Sequence, residues 1–536
     1  MNQQFLKGAL LLSLSVFATK LLGIIYLVPF KNLVGDEGMS LYGYAYTLYG
    51  LFLSLSTLGI PVGLAKFISK YQATGQSEVV HHIFKIGLAL MTGLGIIGFS
   101  GLWFFAPHYV QTILTNEPEL LTQAADIVQM IRLIGTSLLI IPVMALFRGF
   151  FQGHRTMTPT SVSQLLEQLV RVFVILIGSF VIVRVLGGTY QQAVGLSVLA
   201  AFFGGMVSLL YLIGYGVKHR HQFFTPASSK NSSALPKVSA LLVELIQCSV
   251  PFALLGLATN LFQNIDTWDF HRLLTEANVP FDLQKTYYGM YIMELAKIVM
   301  IPVSFSIAFS QPLVPELTRA FELKDHEQVN KTLGLALRLT LFITLPAMVG
   351  MSLLAQLIFI VFYQSTPELN QLGGELFQTG CWLGLFFSLY SITSAMLQGL
   401  NLQNRGIGYL ILALGLKYVM NQWLVPLVGV QGFVYSTFIA YALWLGLSYA
   451  TIKRTTQLSV RALIKENLPS LGWSLIMGVV VYLVLLFIPK EWVYAHRSAS
   501  LLTCCFISLI GILIYGAGHW RSGTLQPFLQ RLRRSK

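Results

Sequence analysis

Two apolar runs joined by a short acidic turn make up residues Ser15 to Tyr71, which read SVFATKLLGIIYLVPFKNLVGDEGMSLYGYAYTLYGLFLSLSTLGIPVGLAKFISKY. Each run is long enough to cross about 30 Å of hydrocarbon as a helix. The turn between them is Gly35-Asp36-Glu37-Gly38, and Lys20 lies near the middle of the first run. A charge at that depth costs about 3 kcal/mol on insertion scales, so it usually faces a partner or a water-filled cavity. This segment therefore predicts a helical hairpin whose first helix carries a functional lysine.

The same character continues through all 536 residues, of which 55% are hydrophobic and only 10% charged, with a mean hydropathy of +0.69. A soluble domain would carry about 25% charged residues. Continuous apolar runs of about 20 residues recur from end to end and predict a polytopic all-α membrane protein. We predict about fourteen transmembrane helices, at residues 8–30, 41–65, 84–106, 123–147, 161–183, 191–217, 241–270, 286–314, 332–356, 373–398, 406–426, 432–452, 469–488 and 500–518.

The basic residues behind the formal net charge of +14 are concentrated on one side of the predicted membrane. With this set of spans, both termini lie on one side of the membrane, and most of the 35 lysines and arginines fall in loops on that side. We count Arg148 and Arg155 among these loop residues. Such asymmetry places both termini in the cytoplasm and argues against nucleic acid as the partner. The first apolar run is too long for a cleaved signal peptide and is expected to stay as a helix.

No enzyme signature accompanies the spans. The sequence contains no Walker A motif, nucleophile elbow or metalloprotease motif, so we predict no enzyme activity, no catalytic residue and no cofactor. The four cysteines lie in apolar segments without C-x-x-C spacing and predict free thiols, with neither a disulfide nor a metal site. They are Cys248, Cys381, Cys504 and Cys505.

Two blocks of about six helices resemble each other across a polar connection that begins at Lys218. Ala18-Thr19-Lys20-Leu21 in the first block resembles Ala258-Thr259-Asn260-Leu261 in the second. Repeated halves of this kind commonly enclose the binding site of a transporter. We therefore predict two six-helix lobes and two extra C-terminal helices, with boundaries at 1–217 for the N-terminal lobe, 218–240 for the linker, 241–452 for the C-terminal lobe, 453–518 for the extra helices and 519–536 for a basic cytoplasmic tail.

Charged and polar residues at membrane depth are the candidate site. Lys20, Lys297 and Asn260, the repeat counterpart of Lys20, are predicted to line a cationic cavity for an anionic head group. Glu294 lies three residues before Lys297, so it could pair with it or bind a coupling ion.

Other charges within the spans have different expected roles. Asp266 is a candidate proton or cation site. Glu167 and Arg171, spaced i,i+4, fit a structural ion pair better than a ligand site. Arg132, Arg338 and Lys417 are expected to lie close enough to the ends of their spans to reach water, and are left out of the site.

A specific block lies at residues 141–154, IPVMALFRGFFQGH, and is followed by TPTSVSQLLEQLVR at 158–171. With LSTLGIP at 55–61 and KIVMIPVS at 297–304, it closely resembles the YtgP/SpoVB-like branch of the MOP exporter superfamily, which contains the MurJ-type lipid II flippases. The resemblance covers essentially the whole chain. It implies a MATE/MOP-like fold of fourteen helices, with two lobes around a V-shaped cavity.

The same resemblance implies export of an undecaprenyl-pyrophosphate-linked peptidoglycan precursor. Lys20 matches a position that is usually arginine in the family. The Gram-negative branch has a second basic residue where this chain has Tyr26, and an acid where we align Tyr42, so Tyr26 is included among the candidate head-group residues.

Our hypothesis is a monomeric lipid II flippase of the bacterial cytoplasmic membrane that works by alternating access, in contact with membrane lipids. Protons, sodium ions or the membrane potential could drive it. Three alternatives stay open: a flippase for another polyprenyl-linked polysaccharide, a MATE-like small-molecule exporter and a structural partner of cell-wall synthases that transports nothing. Basic residues in the cavity argue against export of cationic drugs, because they repel cations.

Overall fold

The computed structural model describes residues 3–57, 59–73, 77–116, 124–223, 238–363, 366–456 and 460–522, and within these ranges all regular structure is helical. The helices are α1 (Gln3–Ile25), α2 (Leu27–Thr57), α3 (Ile60–Ala73), α4 (Ser77–Asn116), α5 (Ala124–Gly135), α6 (Ile141–Gly153), α7 (Thr158–Phe180), α8 (Tyr190–Lys218), α9 (Arg220–Phe223), α10 (Val238–Gly256), α11 (Ala258–Glu276), α12 (Phe281–Tyr288), α13 (Ala296–Glu322), α14 (His326–Leu353), α15 (Ala355–Tyr363), α16 (Pro367–Gly380), α17 (Leu383–Gly399), α18 (Gln403–Val428), α19 (Gln431–Thr456), α20 (Val460–Leu486), α21 (Lys490–Ala495) and α22 (Arg497–Arg521).

Eleven helical stretches among the described residues are long and apolar enough to cross a membrane, which confirms the all-α polytopic class. They are Glu78–Gln111, Ala124–Gly153, Thr158–Val185, Tyr190–Lys218, Thr286–Glu322, His326–Leu353, Pro367–Gly399, Gln403–Val428, Gln431–Thr456, Lys465–Leu486 and Arg497–Arg521. The predicted spans at 8–30, 41–65 and 241–270 are not among these eleven. The predicted total of fourteen stays a prediction.

The chain forms two units. The N-terminal unit contains residues Gly8–Ala253 and Val314–Lys324, and the C-terminal unit contains Met1–Lys7, Leu254–Leu313 and Asp325–Lys536. Most of the predicted linker, residues 224–237, lies outside the described residues. The predicted lobe boundaries stay a prediction.

Glycine and proline interrupt the helices of the N-terminal unit. Gly35 has φ 70° and ψ −173°, which breaks the helical path of α2 at the turn predicted between the first two spans. Pro29 lacks the N–H that would bond to the carbonyl of Ile25, and α1 ends at that residue. The interruptions after Ile25 and at Gly35 thus follow from local backbone chemistry.

The RGFFQGH block packs α6 directly on α3. An added Cβ at Gly149 would collide with the carbonyl of Pro61, and one at Gly153 would collide with the side chain of Ile68. Ser69 Oγ also donates a 2.9 Å hydrogen bond to the carbonyl of Gly153. Small residues four apart allow two membrane helices to approach this closely. The block therefore has a packing role in addition to any role in the site.

Gly59 is constrained for two independent reasons. Its φ is +68°, in the left-handed region, and a Cβ there would lie 2.8 Å from the carbonyl oxygen of Ser249 and 2.9 Å from the backbone nitrogen of Ala253. Both atoms belong to the backbone of α10, so a Cβ at this position would have to displace that helix.

We expect Gly59→Ala to destabilise the protein by at least about 1–2 kcal/mol, because the left-handed conformation alone costs that much for a residue with a Cβ. Thermal unfolding of the purified protein in detergent measures the effect. The matched control is Gly93→Ala, since Gly93 is helical and has open space around it. An unfolding temperature of Gly59→Ala equal to that of the control would contradict this assignment.

Candidate functional site

Lys20 lies on α1 with its side chain exposed, and it makes no hydrogen bond or ion pair with the described residues. Gly23, one turn further along α1, packs against α7, where the Gln168 amide nitrogen lies 3.6 Å from the position of an added Cβ. A lysine at this depth has lost much of its hydration, so an exposed and unpaired ammonium is available to an anionic ligand.

Tyr26 belongs to the packed interior of the N-terminal unit. Its side chain is 8% exposed, and its hydroxyl lies 3.1 Å from the hydroxyl of Tyr42. The chain therefore has a neutral hydrogen-bonded pair at the two positions where the Gram-negative branch is expected to have a base and an acid. In this conformation Tyr26 is engaged with Tyr42 and not free for a head group.

A three-residue charge network links α6, α7 and α8. Glu167 accepts hydrogen bonds from both Arg148, at 2.8 Å, and Arg171, at 3.0 Å. Arg148 also donates to Ser163 Oγ at 2.9 Å and to Ser208 Oγ at 3.0 Å. The side chains of the two arginines and the glutamate are only 14–21% exposed. We call this set, Arg148, Glu167 and Arg171, the arginine–glutamate network.

The placement of Arg148 in a cytoplasmic loop was wrong. The residue lies within α6, and its guanidinium is largely buried against Glu167 and two serines. Sequence reasoning paired Glu167 with Arg171 alone, because only that pair has i,i+4 spacing. A second arginine could have been suspected from its position inside the RGFFQGH block, directly before Gly149.

The C-terminal unit contains a buried ion pair between Asp266 of α11 and Lys417 of α18. Asp266 Oδ1 lies 2.7 Å from Lys417 Nζ and accepts a 2.9 Å hydrogen bond from Asn421 Nδ2, while Oδ2 accepts a 2.9 Å bond from the hydroxyl of Tyr291. Lys417 Nζ donates to Thr437 Oγ1 at 2.6 Å, and it also reaches the hydroxyl of Ser436 and the carbonyl of Phe433.

The expectation that Lys417 reaches water from the end of its span was also wrong. The side chain of Lys417 is 0% exposed and that of Asp266 is 2% exposed. Stacked rings of Phe270, Tyr291 and Phe433 lie beside the pair, with centroids 5.0–6.4 Å apart. Lys417 sits near the midpoint of its 26-residue helix, and that position is the signal that sequence reasoning missed.

Asp266 was a candidate proton or cation site, and the structure shows its carboxylate already bound. Both of its oxygens accept hydrogen bonds, and the neighbouring positive charge is supplied by the protein itself. A cavity of about 30 Å³, large enough to hold a water molecule, lies beside it. Its lining includes Thr259, Gln263 and Thr437.

The remaining predicted site residues of the C-terminal unit differ in how far the structure describes them. Lys297, in the first turn of α13, and Asn260, in the first turn of α11, are both exposed. Neither side chain has a hydrogen-bond or ion-pair partner among the described residues. The side chain of Glu294, on the π-helical turn before α13, lies outside the described part of the structure.

We expect Glu167→Gln to destabilise the protein by about 3 kcal/mol, because it leaves two largely buried guanidinium groups without their carboxylate. Arg171→Gln should cost less, since Arg148 still neutralises Glu167. Thermal unfolding in detergent measures both, with Lys331→Gln as a control that breaks an exposed ion pair on α14. Equal stability of Glu167→Gln and the control would mean that the network contributes nothing.

Asp266→Asn should destabilise the C-terminal unit by about 3–5 kcal/mol, because Lys417 would keep a buried charge without a counter-charge. The double variant Asp266→Asn with Lys417→Met should recover part of this loss, since it removes the charge as well. The yield of folded protein and its unfolding temperature report both effects. A double variant that is less stable than Asp266→Asn would refute the pairing.

Comparison with known proteins gives a consistent assignment. Residues 5–321 match the family described as "Polysaccharide biosynthesis protein", and residues 287–502 match "Lipid II flippase MurJ". The chain is 31% identical over 535 residues to the lipid II flippase MurJ of Bacillus subtilis (strain 168), covering 99% of this chain and 97% of the relative. It is 27% identical over 490 residues to stage V sporulation protein B of the same organism, covering 89% and 88%.

The fold has solved counterparts. An outward-facing MATE-family multidrug resistance transporter of the MOP superfamily matches with a TM-score of 0.67 at 13% identity, covering 87% of this chain and 97% of that one. This likeness shows the MOP transporter architecture. With the full-length relatives, it shows a multi-pass protein of the bacterial plasma membrane. The chain belongs to the MurJ-type lipid II flippase family of the MOP exporter superfamily.

Proposed function

We propose that this protein moves lipid II, the undecaprenyl-pyrophosphate-linked peptidoglycan precursor, from the inner to the outer leaflet of the cytoplasmic membrane. The observation that carries the proposal is Lys20, a lysine on a membrane helix that is exposed and unpaired among the described residues. The full-length similarity to a lipid II flippase supports the choice of cargo.

In this proposal Lys20 on α1 is the cation that binds the pyrophosphate, and Lys297 on α13 is a second candidate cation. The exposed Asn260 offers a neutral hydrogen-bonding group for the sugar. Both lysines are free to form charge-assisted hydrogen bonds with phosphate oxygens. Both lysines belong to one chain, so in this proposal a monomer can bind the head group without a second copy. The polyprenyl tail stays in the lipid while alternating access moves the head group.

We propose the membrane potential as the driving force. With both termini in the cytoplasm, as the distribution of lysine and arginine favours, the anionic head group moves outward, and an inside-negative potential contributes about 2.3 kcal/mol per charge for each 100 mV. A sodium ion at Asp266 would have to displace the Lys417 ammonium, which lies 2.7 Å from the carboxylate. Glu294 stays a candidate for proton coupling.

Lys20→Ala should insert normally into the membrane and fail to export lipid II. We expect the amount of lipid II in the outer leaflet to fall at least tenfold, because one charge-assisted hydrogen bond contributes about 1.5–3 kcal/mol. The measurement uses a bacterial strain depleted of its own lipid II flippase and an external enzyme that cleaves lipid II. Lys20→Arg should retain activity, and Lys331→Ala, on an exposed ion pair, serves as the control.

Full export by Lys20→Ala at normal protein level would refute the role of Lys20. Failure of the wild-type chain to restore outer-leaflet lipid II would refute this cargo and favour another polyprenyl-linked glycan. The match of residues 5–321 to the family described as "Polysaccharide biosynthesis protein" supports that second candidate. A docking partner of cell-wall synthases would instead tolerate Lys20→Ala and Lys297→Ala together.

A further inference from the structure

Several buried polar atoms among the described residues of the N-terminal unit have no hydrogen-bond partner, and three of them lie close together: Tyr46 Oη, Tyr49 Oη and Arg171 Nε. Each can donate a hydrogen. Buried donors without an acceptor are uncommon in native proteins, and each costs about 1–3 kcal/mol. Three such donors in one region indicate that an acceptor from outside the chain belongs there.

The three groups lie in one neighbourhood. The ring of Tyr46 is 4.4 Å from that of Tyr42 and 5.8 Å from that of Tyr49, measured between centroids. Arg171 is within electrostatic range of all three phenols. Ser137 lies beside Tyr49, and its hydroxyl donates a 2.7 Å hydrogen bond to the carbonyl of Ile134.

The local charge selects the sign of the ligand. In the arginine–glutamate network two guanidinium groups share the single carboxylate of Glu167, which leaves one positive charge in excess. The guanidinium of Arg171 keeps its Nε free for a further acceptor. An excess positive charge in a largely buried site is stabilised by an anion, and a guanidinium flanked by hydroxyl donors suits phosphate oxygens.

Arg171 is the part of this cluster that extends toward the surface. Its side chain is 21% exposed although its Nε is buried, whereas Tyr49 is 4% exposed. The adjoining phenols of Tyr26 and Tyr42 are hydrogen-bonded to each other and carry no charge that would compete with an anion.

We propose that Arg171, Tyr46 and Tyr49 form a phosphate-binding subsite within the N-terminal unit, and that it takes a phosphate oxygen of the lipid-linked cargo. The assignment of the cargo rests on the proposed function. Lys20 attracts the pyrophosphate on the exposed face of α1, and the subsite holds one of its oxygens on α7 and α2.

The test uses the double variant Tyr46→Phe with Tyr49→Phe in the purified full-length protein. It removes only two hydroxyl groups that lack partners, so the ligand-free protein should be as stable as the wild type or more stable. The affinity for inorganic pyrophosphate, measured by isothermal titration calorimetry in detergent, should fall about tenfold or more. Tyr418→Phe, which alters an exposed tyrosine of α18, should bind like the wild type.

Unchanged pyrophosphate affinity in the double variant would overturn the subsite. A second arm compares inorganic pyrophosphate with undecaprenyl pyrophosphate in the same micelles. An equal loss for both ligands supports a cargo site, and a loss confined to the inorganic ion would overturn the assignment to cargo. Both arms are binding measurements, so their outcome is separate from the lipid II export assay that tests the proposed function.

Discussion

Charged side chains buried between membrane helices are the constraint on which this structure depends. Neither water nor lipid can solvate them, so each charge must find an opposite charge and a full set of hydrogen bonds. Asp266 and Lys417 meet this demand by joining α11 to α18, with Thr437 of α19 completing the shell. Arg148, Glu167 and Arg171 meet it partly, by joining α6, α7 and α8.

The buried charges are paired more completely in the C-terminal unit than in the N-terminal unit. In the C-terminal unit both oxygens of Asp266 are bonded and Lys417 is fully enclosed, which suits a rigid element that holds its helices in register. In the N-terminal unit one positive charge remains in excess and the Nε of Arg171 has no partner. A network with unpaired hydrogen-bond donors can bind an exchangeable ligand, whereas a network in which every group is hydrogen-bonded is suited to holding helices together.

Helix packing in the N-terminal unit places a second constraint on the sequence. Close approach of helices in the N-terminal unit depends on glycines at positions where a Cβ would strike a neighbouring backbone, as at Gly59 and Gly149. These contacts bring α3 against α6 and α10 without large side chains between them.

The sequence by itself determined the all-α membrane class, the turn at Gly35 and the transporter family, because apolar length, glycine and local motifs are properties of short segments. It also placed Lys20 and Lys297 correctly within helices. Only the tertiary structure decided which charges meet. Arg148 lies 19 residues from Glu167 and Asp266 lies 155 residues from Asn421, and no helical periodicity connects such positions. Pairing across helices depends on how the helices cross, and that is set by packing of the whole unit.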